Sequence, residues 1–279
     1  MKSLMIQGTS SSAGKTTLVT ALCRIFSDKG FRVAPFKSQN MSNFAYITPN
    51  FEISRAQAIQ AIGARCDITP NLNPILLKPV GNYNSIVYLN GKRYKKMHAK
   101  NYYEKFVNNE GIKIVSKSLK VLQKNFDLVI LEGAGSPAEI NLQKFDIANM
   151  RIAQKSNASV LLVSDIDRGG SFASIVGTMT LVEKKYQKFV KGFIFNKFRG
   201  DIQVLKPGFQ KLKKITKIPV VGTIPMINLN LPEEDSLNVN PKNFVWTKKN
   251  ISKIDDEINN LAKIVKSNID IKSIERMLK

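Results

Sequence analysis

The chain has few of the residues that cross-link small proteins or bind metals in them. Its 279 residues include 2 cysteines, 1 histidine and 1 tryptophan. Cys23 and Cys66 stand far apart with no Cys-x-x-Cys spacing, which argues against a disulfide framework or a thiolate metal site and reads both as buried small hydrophobes. His98 lies in the polar, lysine-rich stretch from Lys92 to Lys105, so it reads as a surface residue and leaves imidazole-based acid–base chemistry without a candidate. No apolar run approaches the ~18 residues of a membrane span, and the stretch between Lys2 and Gly8 is too short for a secretory signal. The expectation is a cytoplasmic protein with no membrane partner. Acid is scarce as well: 21 Asp and Glu stand against 43 Lys and Arg, a net charge of +22. That excess would suit nucleic acid, an anionic membrane or a polyanionic small substrate. The lysines, however, are scattered in pairs such as Lys95-Lys96, Lys184-Lys185, Lys213-Lys214 and Lys248-Lys249, without interleaved aromatics or an arginine stripe. This is the pattern of a solvated surface, and it disfavours a nucleic-acid path.

With 43% hydrophobic residues, a chain of this length can bury a large core, as one α/β domain or one domain with an appendage. Its most informative segment is Gly8-Thr9-Ser10-Ser11-Ser12-Ala13-Gly14-Lys15-Thr16-Thr17, between the apolar Leu4-Met5-Ile6 and the helical Leu18-Val19-Thr20-Ala21-Leu22. A glycine-rich turn between a strand and a helix lets backbone N–H groups converge on phosphate oxygens, aided by the helix N-terminus. In that reading Gly8, Thr9, Ser12, Ala13, Gly14, Lys15, Thr16 and Thr17 cradle a nucleotide, with Lys15 on the outer phosphates and the Thr16 hydroxyl on Mg2+. The competing reading is a serine-rich turn that caps a helix. The spacing from Gly8 to Gly14 is one residue longer than in the common phosphate loop, which points away from ordinary GTPases and toward a subgroup that includes dethiobiotin synthetase.

Short apolar runs at Leu4–Gln7, Phe31–Phe36, Leu128–Leu131, Val160–Val163, Phe193–Phe195 and Val220–Ile224 alternate with helical stretches. They predict an α/β fold of the P-loop NTPase type, a mostly parallel sheet flanked by helices. From Asn82 to Lys120 the pattern loosens into an excursion from the sheet. Ligands of such sheets bind beyond the strand C-termini, where Lys37–Asn43, Glu132–Asn141, Ser164–Gly170 and Asn196–Asp201 are rich in polar residues and glycine. Glu132, at the end of a strand over Phe126–Leu131, can complete a metal clamp with Thr16, or cap the following turn. Lys37, at another strand end, can span a γ-phosphate and an acceptor oxygen, or form a surface ion pair.

Several blocks occur in the order found in cobyric acid synthases. They are Gln7 to Ser11, Ala34 to Met41, Arg55-Ala56-Gln57-Ala58, Asn73 to Pro79, Glu132 to Asn141, Asp146 to Met150, Asp165 to Gly170, Asn196 to Asp201 and Pro232 to Leu237. The chain resembles that family to about residue 237. The resemblance implies a dethiobiotin-synthetase-like fold, ATP and Mg2+, and ATP-dependent amidation of peripheral carboxylates on a corrinoid (cobyrinic a,c-diamide to cobyric acid) through an acyl phosphate. It implies catalytic Lys15, Lys37 and Asp146, with Asp146 on metal or proton transfer beside an N-cap alternative, and metal at Thr16 and Glu132. It also implies adenine at Asn196, and acceptor contacts from Gln39, Asn40, Lys78, Gly135, Ser136, Glu139 and Asn141.

Such enzymes usually carry a following glutaminase domain, and this sequence offers no cysteine elbow for one. Ammonia is therefore expected free or from a separate glutaminase subunit, and a homodimer is expected by analogy with related ATPases. The organisation reads as a ligase domain over 1–237, a polar linker over 238–250 and a helical tail over 251–279, whose apolar repeat at Ile254, Ile258, Leu261, Ile264 and Val265 predicts a helix. Two other readings compete: a ligase or carboxylase on another polycarboxylate, and a non-enzymatic ParA-like nucleotide switch that binds DNA.

Overall fold

The computed structural model describes residues 2–233 and 244–279. Twelve strands occur among the described residues: β1 (Lys2–Gly8), β2 (Val33–Phe36), β3 (Gln39–Met41), β4 (Ala45–Ile47), β5 (Glu52–Ser54), β6 (Ile75–Pro79), β7 (Asn84–Leu89), β8 (Lys92–His98), β9 (Leu128–Glu132), β10 (Ser159–Asp165), β11 (Val190–Phe198) and β12 (Val220–Pro225). Six form one sheet in the order β12-β11-β10-β1-β9-β2, every neighbouring pair parallel. These are the six apolar runs of the sequence, and their near-continuous hydrophobicity follows from cover on both faces.

The cover divides by strand alternation. Leu4, Ile6, Ile130, Val163 and Ile194 face one layer, which holds α1 (Lys15–Asp28) and two helices near the C-terminus. Met5, Val129, Leu131, Leu162 and Phe193 face the other, with buried residues of the helical stretch that runs from α3 (Ala99–Asn101) through a π-helical segment, Tyr102–Gly111, into α4 (Ile112–Asn125). The remaining helices are α2 (Arg55–Ala64), α5 (Met150–Ser156), α6 (Ser171–Leu181), α7 (Lys184–Gln187), α8 (Lys206–Thr216), α9 (Lys248–Ser267) and α10 (Ile271–Met277).

A second sheet has the order β3-β6-β7-β8; of the excursion expected over Asn82 to Lys120, β7 and β8 join it, while the helical remainder packs back on the large sheet. β3 pairs parallel with β6, and β6, β7 and β8 follow as antiparallel neighbours. Only Lys37 and Ser38 separate β2, in the large sheet, from β3, in the small one. This step is pinned on both sides: Lys37 N–H donates to Leu72 O at 2.9 Å, and Asn73 Nδ2 donates to Lys37 O at 3.0 Å.

The tail is docked on the core. Ile254, Ile258, Leu261 and Val265 of α9 are buried, as the apolar repeat requires. Arg24 of α1, wholly buried, donates to the carbonyls of Ile62 and Gly63 and reaches Asp255 and Asn259 of α9. Of the expected linker, residues 238–243 lie outside the described residues, and 248–250 already form the first turn of α9. Cys23 is buried, and burial pushes its thiol well above the ordinary value. Cys66 is only half-buried, a departure from the expectation, and its thiol is pushed up to about 12, mainly by burial. His98 is exposed and caps α3 by accepting from Lys100 N–H. No helix of the described residues is long and apolar enough to cross a membrane.

Candidate functional site

The Gly8–Thr17 segment leaves the end of β1, turns, and enters α1. Gly14 stands in the left-handed region at φ +95°, and a Cβ there would lie 1.9 Å from Asn196 Nδ2. Glycine is required both by the backbone angle and by the space. Ser12 is also left-handed, at φ +58°, and alternation of this kind turns successive N–H groups toward one concavity. The loop is held from β10 and β11. Thr9 N–H donates to Val163 O at 2.9 Å, Asn196 Nδ2 to Ala13 O at 2.9 Å, and Lys197 Nζ to both Ser12 O at 2.8 Å and Asp165 Oδ2 at 2.7 Å. Lys197 is itself left-handed, at φ +61°. Thr17, Gly14 and Asn196 also line a small apolar pocket closed by Ile224, Pro225, Met226, Leu261 and Val265, on the side where Asn196 was expected to meet a base.

At the other side of the loop the side chains of Lys15, Thr16, Lys37, Gln60 and Glu132 converge. Lys15, nearly buried, donates from Nζ to Ser10 O at 2.8 Å and to Gly135 O at 3.0 Å. Glu132 is 1% exposed. Its Oε1 accepts from Thr16 Oγ1 at 2.9 Å and from Lys37 Nζ at 2.7 Å, and its Oε2 accepts from Gln60 Nε2 at 2.5 Å. The expected clamp of Thr16 with Glu132 and the expected cation Lys37 are thus one connected group, and Lys37 is a buried partner of Glu132 instead of a surface ion pair. A hydroxyl beside a carboxylate is a hard-oxygen donor set that suits Mg2+, and its position at the N-terminus of α1 fits a metal–phosphate clamp.

Beyond this group lies a cavity of about 350 Å³, walled by Ser11, Gln39, Met41, Tyr103, the turn from Ala134 to Pro137, Glu139 and the segment from Asp146 to Met150. Ser11 belongs to the phosphate loop and Gly135 touches Lys15, so loop and cavity share a wall. A Cβ at Gly133 would lie 2.3 Å from Asn149 Oδ1, so a side chain there would displace Asn149, whose Nδ2 holds Ala134 O at 2.7 Å. Gln39 reaches the cavity fixed by Tyr102, whose hydroxyl donates to Gln39 Oε1 at 2.6 Å. Burial holds that phenol well above its ordinary pKa, so it stays a donor.

Several expected acceptor contacts reach this cavity and others do not. Gln39, Gly135, Ser136 and Glu139 line it. Asn40 points away, because neighbours on a strand face opposite sides; it is buried against Ser54 Oγ at 2.6 Å. Lys78 is paired with Glu52 and its ammonium lies 5.3 Å from the centre of the Tyr88 ring, outside the cavity lining. Burial lowers its pKa. Asn141 is exposed and also outside the lining. Asp146 does line the cavity, and it also caps the turn into α5: Oδ1 accepts from Ala148 and Asn149 N–H at 2.9 and 2.7 Å, and Oδ2 from Arg151 N–H at 2.8 Å. Gln60, Asn149 and Lys197 were not singled out from the sequence, although Gln60 was legible as a polar residue inside the apolar run Ala58 to Ala64.

The parallel sheet, the glycine-rich loop at the end of its first strand and the lysine folded back over that loop define a P-loop nucleotide-binding α/β protein. The chain belongs to the CbiA family, described as the CobQ/CobB/MinD/ParA nucleotide binding domain, whose model matches residues 4–239. It is 53% identical over 245 residues to a probable cobyric acid synthase of Thermococcus kodakarensis, covering 86% of this chain and 50% of that protein. It is 51% identical over 237 residues to a probable cobyric acid synthase of Methanocaldococcus jannaschii, covering 84% and 47%. The chain therefore spans about half the length of the curated relatives it matches. Among solved structures, the signal recognition particle receptor FtsY of Elizabethkingia anophelis in complex with GDP aligns with a TM-score of 0.49 at 15% identity, covering 92% of this chain and 63% of that one.

Proposed function

We propose that this chain is the carboxylate-activating part of an ATP-dependent amide ligase that acts on a corrinoid, as the names of its relatives suggest. The observation that carries the reading is the shared wall: Thr16 and Lys37 are joined by hydrogen bonds to Glu132, and Lys15 beside them donates to Gly135 O, at the edge of a cavity that begins at Ser11 and Gly135. A nucleotide switch needs the loop but has no use for an acceptor cavity beside its terminal phosphate.

The chemistry would run in two displacements. An acceptor carboxylate oxygen attacks the γ-phosphorus of ATP, the bond to the β,γ-bridging oxygen breaks, and ADP leaves. Ammonia then attacks the acyl carbon, the C–O bond to phosphate breaks, and the nitrogen gives up a proton as the amide forms. Lys15 offsets charge on the outer phosphates, and Lys37, paired with Glu132, would share its ammonium with the transferred group. Thr16 and Glu132 would hold Mg2+, which neutralises phosphate charge when bound. Asp146, one of the carboxylates that line the cavity, would receive the proton from nitrogen. At about 350 Å³ the cavity is at the small end of the range for small-molecule sites; it suits one carboxylate arm of a macrocycle whose ring rests outside. A polycarboxylate acceptor also accords with a strongly basic chain. The ammonia source, free or from a separate glutaminase, the homodimer and the division at residue 237 belong to the same proposal.

The decisive experiment is mass spectrometry of products from cobyrinic a,c-diamide, ATP and Mg2+ with ammonium or with glutamine. Conversion of carboxylates to amides with ammonium alone supports the reading and names the nitrogen source. ATP hydrolysis that responds to DNA and never to the corrinoid, with no amide formed, overturns it.

Asp146→Asn separates a chemical role from the cap. The substitution is expected to leave nucleotide affinity within about twofold and to slow amide formation about 10²–10⁴-fold, the usual contribution of a positioned acid or base. Loss of the Oδ2 acceptor should cost about 0.5–2 kcal/mol of stability. If turnover per folded molecule is unchanged while stability falls, Asp146 is only a cap.

A further inference from the structure

Helix α2 carries two glutamines, Gln57 and Gln60, which after its first residue, Arg55, stand among alanine, isoleucine and glycine only, and both are wholly buried. Three residues apart, they lie on one helix face. Primary amides are costly to bury unless their groups are used, and here all but the Gln57 oxygen enter a chain. Gln57 Nε2 donates to Gln60 Oε1 at 3.3 Å, and Gln60 Nε2 donates to Glu132 Oε2 at 2.5 Å. The first bond decides how the second amide is turned. With its oxygen taken by Gln57, Gln60 presents its N–H groups to the carboxylate. Glu132 is then gripped at both oxygens: Oε2 from α2, and Oε1 from Lys37 and Thr16. Rotation about its last side-chain bond would break three hydrogen bonds, so Oε1 stays on the side of Thr16.

We propose that Gln60, oriented by Gln57, is a positioning residue that fixes the Glu132 carboxylate against Thr16 and thereby sets the affinity of this pair for a divalent cation. The inference rests on reading Thr16 and Glu132 as the cation-holding pair. Neither glutamine meets the cavity or the phosphate loop, so the role is exerted through Glu132 alone. Ligand-orienting groups of this kind typically change metal affinity 10–100-fold when removed.

The test is binding of a fluorescent ATP analogue to the purified chain, first in EDTA and then across a Mg2+ titration, for the wild type, Gln60→Leu and Gln57→Leu. In EDTA all three are expected to bind within about twofold of one another. The Mg2+ concentration that gives half of the metal-dependent tightening should rise about 10–100-fold in Gln60→Leu. Gln57→Leu should show a smaller rise in the same direction, because Gln60 remains but is free to turn over. Thermal melting in EDTA, read separately, identifies any general loss of stability. An unchanged Mg2+ midpoint in folded Gln60→Leu overturns the proposal. If that variant does not fold, an unchanged midpoint in Gln57→Leu does the same. Wild-type binding that ignores Mg2+ altogether instead refutes the cation-holding pair, and the glutamine inference with it.

Discussion

Lys15→Ala is expected to reduce nucleotide-dependent turnover at least about 10³-fold, at the upper end of what one preorganised electrostatic group supplies. The reason is position as much as charge. Its ammonium is folded back over the loop between Ser10 O and Gly135 O, 2.8 and 3.0 Å away, so it bridges the phosphate side to the cavity side. Truncation removes the cation and unties the Gly135 turn from the loop. Both changes should appear together, as weaker binding of a triphosphate in a fluorescence titration and as lost turnover. A modest stability loss of about 1–3 kcal/mol should accompany them, since two carbonyls lose a charged donor. Tight triphosphate binding with turnover near wild type would remove the phosphate loop from the account.

Lys37→Met should have the largest effect on stability. Lys37 and Glu132 are 5% and 1% exposed at their side chains and 2.7 Å apart. Removing one member of such a pair leaves a buried carboxylate supported by Thr16 and Gln60 alone, at a cost of about 3–5 kcal/mol. Urea denaturation should register that loss. The double variant Lys37→Met with Glu132→Leu should recover most of it, because replacing both charges removes the unpaired one, and its stability should exceed that of the single variant. Turnover should not recover. A double variant no more stable than Lys37→Met would mean that the pair is not coupled in solution. Recovery of activity would mean that neither side chain takes part in the reaction.

Much of this architecture was legible in the residues because the signals are local. Each of the six apolar runs became a strand of the large sheet, since continuous hydrophobicity needs no knowledge of distant partners. The ends were less certain: Phe31 and Arg32 precede β2, and Arg32 instead pairs with Asp127 across the sheet edge at 2.6 Å. The phosphate loop was singled out by its glycine-rich run ending in Gly14-Lys15-Thr16, and Lys37 and Glu132 by the rule that ligands collect beyond strand C-termini. Features that depend on distant pairing were not. The second sheet joins β3 to β6 across 33 intervening residues, and the Gln60 bond reaches 72 residues along the chain. Gln39 and Asn40 are alike as sequence and opposite in the fold, because strand alternation gives one to the cavity and the other to Ser54. The acceptor contacts read through family resemblance, Lys78 and Asn141, illustrate the same limit: a motif supplies the residue but not the direction in which it points.

The two-residue step between the sheets has a mechanical consequence. Lys37 leaves the edge strand β2 of the larger sheet and its backbone is anchored to Leu72 and Asn73, just before β6 of the smaller one, while its ammonium is held by a carboxylate at the end of β9. One residue thus ties the two sheets together at the seam. Any rocking of the smaller sheet against its neighbour would therefore change the distance between that one nitrogen and that one oxygen.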